Sequence, residues 1–357
     1  MKTIKVKYCK YGNNTDHTTP LTFNYFTHNI LKKNYDIEIS DDPDYLFCHE
    51  SSYEYLQYDC IRIFNTGENI TANFNIYDYA TGIDYIQFED RYCRLPPYLV
   101  ATFYSKKDIE LSKDIDLENP KIVTKEDLAK KTDFCSFVYS NYLADKKRQD
   151  LLDTLNTYKK VNSGGKYLNN IGGPVENKLV FETKHKFSMA IENSCRNGYT
   201  TDRIVNGFMA NTIPIYWGNP AIGKEFNTKR FINCHEYKNF DEVLERVKKI
   251  DSDDELYLQI INEPVFAEGY SFKKAIDAYE VFLKNIFDQP LTEARRRTIN
   301  IAHGAAIENH ERMIATSIQK KEVIRKFLSS VYKPFKKIQF IEGIKHSYFR
   351  KKLKNKA

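Results

Sequence analysis

From residue 133 onward, short apolar runs alternate with amphipathic stretches, and that alternation leaves few folds open. Residues 133–140 (Asp-Phe-Cys-Ser-Phe-Val-Tyr-Ser) read as a buried strand and 145–158 as a helix. Residues 186–192 read as a second strand, 201–210 as a helix and 213–217 as a third strand. Strands joined by helical crossovers build a parallel sheet with helices on its faces. Ligands of such sheets sit outside the carboxyl ends of the strands. Residues 272–286 add one more amphipathic helix.

The first third is less legible. Strands are expected at 4–8, 45–48 and 61–65, whereas 78–84 and 90–97 read as loops, the second closed by Pro96-Pro97. Between 105 and 132 the chain becomes highly charged and loses periodicity, which marks an interdomain linker. A chain of 357 residues suits two domains of ordinary size. The expected division is 1–132, ending in that linker, then 133–290, then 291–357 as C-terminal helices and a basic amphipathic tail.

The net charge of +6 is unevenly placed: from Lys333 to the end there are nine Lys or Arg against one acid, Glu342. The remainder is close to neutral or slightly acidic, so no nucleic acid is expected as a partner. The tail interleaves Phe335, Ile338, Phe340, Ile341, Ile344, Tyr348 and Phe349 with cations. That pattern fits an amphipathic helix on an anionic membrane surface and a solvated basic tail equally. No apolar run is long enough to span a membrane, and the segment 1–8 reads as a strand rather than a signal peptide. Seven scattered cysteines without a C-x-x-C fit reduced thiols. The expected location is cytoplasmic, with peripheral attachment to the inner membrane face through the tail.

The eight histidines share no metal-ligand spacing. Two D-x-D triplets, Asp42-Pro43-Asp44 and Asp251-Ser252-Asp253, read as solvated turns rather than metal sites. Residues 186–194 and 198–204 form a strand, a loop and a helix start. Thr200 or Thr201 is a natural N-cap, and Asp202 suits the helix dipole. Arg203 does not, unless an anion such as a nucleotide diphosphate binds beside it. Taken alone, an Arg in a first helical turn is a solvated one.

The run F-S-M-A-I-E-N-S…G-Y-T-T-D-R-I-V-N-G-F…N-T-I-P-I-Y-W-G-N-P…F-N-T-K-R-F-I-N resembles the α1,3/4-fucosyltransferase family. That family carries F-E-N-S, Y-V-T-E-K, P-I-Y-W-G-x-P and F-N-P-x-S-F-I in the same order. Upstream, Thr66-Gly67-Glu68-Asn69 resembles its T-G-E-N loop, and the likeness spans residues 60 to 285. The resemblance implies an α/β GT-B fold, two Rossmann-like domains facing a cleft. It implies inverting transfer of L-fucose from GDP-fucose to a GlcNAc or Glc hydroxyl, in α1,3 or α1,4 linkage, with no essential metal or other cofactor. N-acetyllactosamine or a lipid-linked glycan would be the acceptor, in surface glycan or lipopolysaccharide synthesis.

Carried over by position, the resemblance makes Glu68 the general base. It places Arg148, Glu192, Asn193, Tyr199, Asp202 and Arg203 around the donor. Without it, Gly67-Glu68-Asn69 is an ordinary exposed turn. Tyr216-Trp217-Gly218 reads as strand packing and a tight turn. Gly164-Gly165 suits either close approach to a phosphate or a flexible loop. Asp202-Arg203 stands where the family has Glu-Lys: the acid is one methylene shorter and the cation is a planar fork. That departure keeps a second reading open, a transferase for a different GDP-sugar. A third is an inactive glycan-binding protein of the same fold.

Overall fold

The computed structural model describes residues 1–9, 23–101, 114–298 and 302–332. Met1–Arg297 form one compact unit and Thr298–Ala357 a second.

The first unit holds two all-parallel sheets. β1 (Lys2–Tyr8), α1 (Phe23–Leu31), β2 (Tyr35–Ile39), β3 (Tyr45–Cys48), β4 (Ile61–Phe64), β5 (Tyr79–Gly82) and β6 (Tyr92–Arg94) build the first, followed by α2 (Pro97–Ala101). Its strand order is β2-β1-β3-β4-β5-β6. β1 alternates buried Ile4, Val6 and Tyr8 with lysines, whereas β3 and β4 are buried throughout, as central parallel strands must be. After α3 (Lys125–Ala129), the second sheet takes β7 (Asp133–Phe137), α4 (Lys147–Asn156), β8 (Val161–Ser163), α5 (Lys178–Glu182), β9 (His185–Ile191), α6 (Asp202–Met209), β10 (Ile213–Trp217) and β11 (Ile232–Asn233). The order β11-β10-β9-β7-β8 reverses direction between β7 and β9. α7 (Phe240–Asp251) and α8 (Asp254–Ile261) cover it, and α9 (Phe272–Asp288) and α10 (Leu291–Ala294) close the unit.

α9 returns to the first sheet. Its Tyr279, Phe282, Leu283, Ile286 and Phe287 join the core of Ile4, Val6, Phe47 and Ile63, with Phe287 4.4 Å from Tyr45 between ring centres. Burying such side chains contributes about 2 kcal/mol each. α6 lies between the halves. Ile204, Val205 and Phe208 enter the first core, while a Cβ at Gly207 would stand 2.5 Å from Ser188 Oγ. One helix is therefore fixed from both sides.

Three expectations are corrected here. Residues 78–84 and 90–97 are not loops: they contain β5, β6 and the start of α2. Their polar residues are satisfied from elsewhere, the Asp78 carboxylate by the backbone N–H groups of Arg62, Arg296 and Arg297, and the Thr81 hydroxyl by Asn65. Pro97 opens a helix, where a missing N–H costs nothing. Of the linker, 105–113 lies outside the described residues. The rest is folded: Leu117 enters the first core, Thr124 and Asp127 make a reciprocal cap, Val123 and Leu128 enter the second core, and Lys131 donates to the carbonyls of Thr183, His185 and Ala210. The third is Asp251-Ser252-Asp253, where Asp251 is buried and held by Lys159, Lys186 and Tyr158, and Asp253 caps α8. Asp42 is exposed, as expected of a solvated turn.

Gly164 and Gly165 are buried, and a Cβ at Gly165 would stand 1.9 Å from the Tyr139 carbonyl oxygen, so close backbone packing requires the glycine. In the second unit α11 (His303–Tyr332) is a long helix, and no helix among the described residues is long and apolar enough to cross a membrane. The tail from Lys333 lies outside the described residues.

The two halves meet closely at Gly198. Its φ of +87° is left-handed, and a Cβ there would stand 2.1 Å from the Ile83 carbonyl oxygen. Gly198→Ala is expected to cost at least about 2 kcal/mol, through the positive φ and the clash together. Urea unfolding checks this, and a midpoint equal to that of the parent would show that the approach is not tight.

Candidate active site

The reversal of strand order between β7 and β9 opens a crevice at their carboxyl ends. Arg148, from the first turns of α4, fills its floor. Its guanidinium donates to the carbonyls of Asn141, 3.0 Å away, and Ile191, 3.2 Å away, so it bridges the ends of both strands. It lies 4.1 Å from the Tyr139 ring centre, and its Nε is buried without a partner. Tyr139 is a residue that sequence reasoning missed. Its hydroxyl donates to the Met189 carbonyl and accepts the Ile191 N–H, both at 2.7 Å. Burial, with Arg203 nearby, works against the Arg148 charge, and its hydrogen-bond acceptors are carbonyls, with no carboxylate among them.

Glu192 follows β9 and is fully buried. It accepts the N–H and the hydroxyl of Thr201, each at 2.8 Å, and pairs with Arg203. Thr201 therefore stands at the N-cap of α6 with its hydroxyl turned to Glu192, not to the helix. The anion that makes Arg203 acceptable in a first helical turn is in part the protein's own. Burial pushes the Glu192 carboxyl up against the pull of Arg203 and Thr201. Burial also works against the Arg203 charge, but Glu192 and Asp202 outweigh it and raise that pKa. A Cβ on Gly218 would meet Glu192 Cγ at 2.3 Å, so the glycine after β10 makes room for the carboxylate. Arg203 keeps a fifth of its side chain exposed; Glu192 keeps none.

Tyr199 is buried, and burial followed by the Glu192 charge pushes its phenol to about 12, with Glu68 adding to the rise. Glu68 thus stands within electrostatic reach of Tyr199, although it sits on the first half. Its loop is held across the crevice: Asn69 Nδ2 donates to Ser194 Oγ at 2.6 Å, and Arg196 donates to Asn69 Oδ1 at 3.2 Å. Glu68 itself is exposed, with its N–H on Thr66 Oγ1. Asn193 is half-buried and accepts from the Ser194 hydroxyl, and Asp202 accepts from Asn206. All seven expected residues thus belong to one region, lying on β4's exit loop, α4, the β9–α6 loop and the first turn of α6. Six come from the second half and Glu68 from the first. Among the described residues no group of three or more His, Cys, Asp or Glu is placed to hold a metal ion.

Two parallel-sheet halves, with a buried arginine at the switch point of one and a carboxylate-bearing loop of the other held against it, define a two-domain α/β architecture with its ligand crevice at the strand ends. Sequence comparison specifies it. Residues 6–101 match the model of the α-(1,3)-fucosyltransferase FucT N-terminal domain, and residues 128–262 match that of the glycosyltransferase family 10 (fucosyltransferase) C-terminal part. The chain belongs to glycosyltransferase family 10, and its fold is the GT-B-like one of that family's structures.

An α-(1,3)-fucosyltransferase FucT of Helicobacter pylori is 34% identical over 293 residues, covering 72% of this chain and 61% of that protein. The chain thus spans about three-fifths of that relative's length. The crystal structure of an α1,3-fucosyltransferase with GDP-fucose is 29% identical, with a TM-score of 0.62 over 80% of this chain and 92% of that one. One with GDP is 30% identical, with a TM-score of 0.63 over 81% and 93%.

Glu182, on α5, is a further buried carboxyl near Asp202. Ser136 is its hydrogen-bond partner, Lys178 stands 3.9 Å away, and one oxygen has no partner. Burial raises it from 4.5 to about 7. A carboxyl with a raised folded-state value stabilises the fold below pH 4.5 and loses that contribution as pH rises towards 7. Glu182→Gln should therefore match the parent at pH 4 and exceed its stability at pH 8, by up to about 3 kcal/mol. Denaturant melts at both pH values check this, and equal midpoints at pH 8 would refute it.

Proposed function

We propose that this protein transfers L-fucose from GDP-fucose to a hydroxyl of a GlcNAc- or Glc-containing glycan, in α1,3 linkage, with inversion at the anomeric carbon. The observation that carries this is the pairing of a cation-floored crevice with Glu68 on the facing half, in a chain of this family. Relatives solved with GDP-fucose and with GDP support the donor. The name of the Helicobacter pylori relative supports the linkage.

Glu68 takes the proton of the acceptor hydroxyl. The acceptor oxygen bonds to the anomeric carbon as the bond from that carbon to the diphosphate breaks, and positive charge grows on the sugar ring between the two events. The diphosphate leaves with negative charge. Arg148, which has no carboxylate of its own, and the first turn of α6 with Arg203 face that charge. Such groups compensate a departing diphosphate without a divalent ion, so we propose a metal-independent reaction. The Asp251 and Asp253 carboxylates are already committed to lysines and to a helix cap. We also propose a peripheral position on the inner membrane face, supported by the nine cations and interleaved apolar residues from Lys333 onward.

Transfer from GDP-fucose to N-acetyllactosamine is expected to persist in EDTA, and GDP-mannose is expected to fail as donor. Loss of transfer in EDTA that magnesium or manganese restores would overturn metal independence. Preference for GDP-mannose would favour the reading that Asp202-Arg203 selects another sugar. Glu68→Gln should lower kcat by at least about 100-fold with GDP affinity unchanged. Arg148→Ala should weaken GDP binding by about 10- to 100-fold. Calorimetry with GDP separates the two, and undiminished transfer by Glu68→Gln would remove the base assignment.

A further inference from the structure

The loop from Ser194 to Gly198 carries donor-side residues, yet most of its polar contacts cross to the other half. Arg196 is the centre of them. Its Nη1 donates to Asn69 Oδ1 at 3.2 Å, and its Nη2 reaches Asp84 Oδ1 at 2.5 Å and the Thr71 hydroxyl. All three partners lie on the first half, 112 to 127 residues away in sequence. Two of them bracket the exit loop of β4 just beyond Glu68. Asp84 is largely buried and Arg196 about one-third exposed, so the pair is partly shielded from water. Asn69 is held a second time, through its Nδ2 on Ser194 Oγ.

The geometry follows from the guanidinium. A planar fork with several donors can hold three acceptors in fixed directions, which a lysine cannot do. The fork is anchored on the donor side by the neighbouring turn. Gly198 donates to Asn219 Oδ1 and accepts from Arg94 Nη2 of the first half. Tyr199, next along, senses the Glu68 charge. The loop that presents Tyr199 to the donor therefore also sets where the Glu68 loop stands.

We infer that Arg196 is a positioning residue, which holds residues 68–71 against the donor crevice so that Glu68 meets the acceptor hydroxyl beside the anomeric carbon. The inference rests on Glu68 being the base. It needs no contact between Arg196 and either substrate. A displacement of about 1 Å in a reacting group costs on the order of 100-fold in rate. Loss of the fork should thus act on turnover and spare donor affinity, because Arg148 and the α6 terminus stay in place.

The test uses the full chain with Arg196→Ala, Arg196→Lys, Asp84→Asn and, as reference, Glu68→Gln. The readouts are kcat and KM for transfer from GDP-fucose to N-acetyllactosamine, the calorimetric Kd for GDP, and thermal melting. Arg196→Ala is expected to lower kcat by about 10- to 100-fold, with the GDP Kd within about twofold of the parent. Arg196→Lys should recover little of it, because charge alone does not replace the fork. Asp84→Asn keeps two of the three contacts and should fall between, and it decides the matter if Arg196→Ala does not fold. A GDP Kd that weakens in step with kcat would overturn the inference, since Arg196 would then be supporting only the donor loop. So would an unchanged kcat in Arg196→Ala and Asp84→Asn. If Glu68→Gln is inert while those two turn over normally, only this inference falls. If Glu68→Gln is fully active, the base assignment falls first.

Discussion

A carboxylate with no exposure to water, Glu192, holds the second half together at its switch-point edge. It stands where β9 ends and α6 begins, and it ties the two by accepting from Thr201 and pairing with Arg203. Removing one partner of such a buried pair costs on the order of 3–5 kcal/mol, because the other charge is left without compensation. Gly218 leaves room for the side chain, so the turn after β10 is bound to the same point. Placement of α6 follows, and with it the direction in which its terminal N–H groups face the crevice.

The second constraint is that α6 belongs to both halves. Its apolar face enters the first core, and Gly207 lies against the second sheet. The β9–α6 loop, just before it, carries Arg196 and Gly198 into contact with residues 69–84. Groups of the two halves are therefore not placed independently. A substitution in the loop is felt by Tyr199 and by the Glu68 loop together. Arg94 strengthens this junction: it pairs with buried Glu225 of the second half and donates to the Gly198 carbonyl.

Three strands of the second half, β7, β9 and β10, were legible because their apolar runs are bounded by turn residues, whereas the short β8 and β11 left no such run. β5 and β6 were not legible. Asp78, Thr81 and Gly82 carry the local signature of a turn, and only the arrival of Arg62, Arg296, Arg297 and Asn65 satisfies their polar groups inside a sheet. The charged stretch before residue 133 misled for a related reason. Among its described residues most lysines and acids are exposed or cap a helix, while Leu117 enters the first core and Val123, Leu128 and Lys131 dock on the second half.

By itself the sequence determined the parallel α/β class and the strand–loop–helix unit that places Glu192, Asn193, Tyr199, Asp202 and Arg203 close together. Those residues lie within twelve positions of one another, so local geometry is enough to gather them. Only the tertiary structure decided that Arg203 spends its charge on Glu192, that Arg148 bridges two strand ends, and that α9 completes the first half. It alone decided that Arg196 reaches across to Asn69, Thr71 and Asp84. Such contacts join segments more than a hundred residues apart, and no period, cap or turn signal in one segment carries information about the other. They exist because both sheets have packed on one helix, and an arginine of the loop before that helix then meets three acceptors.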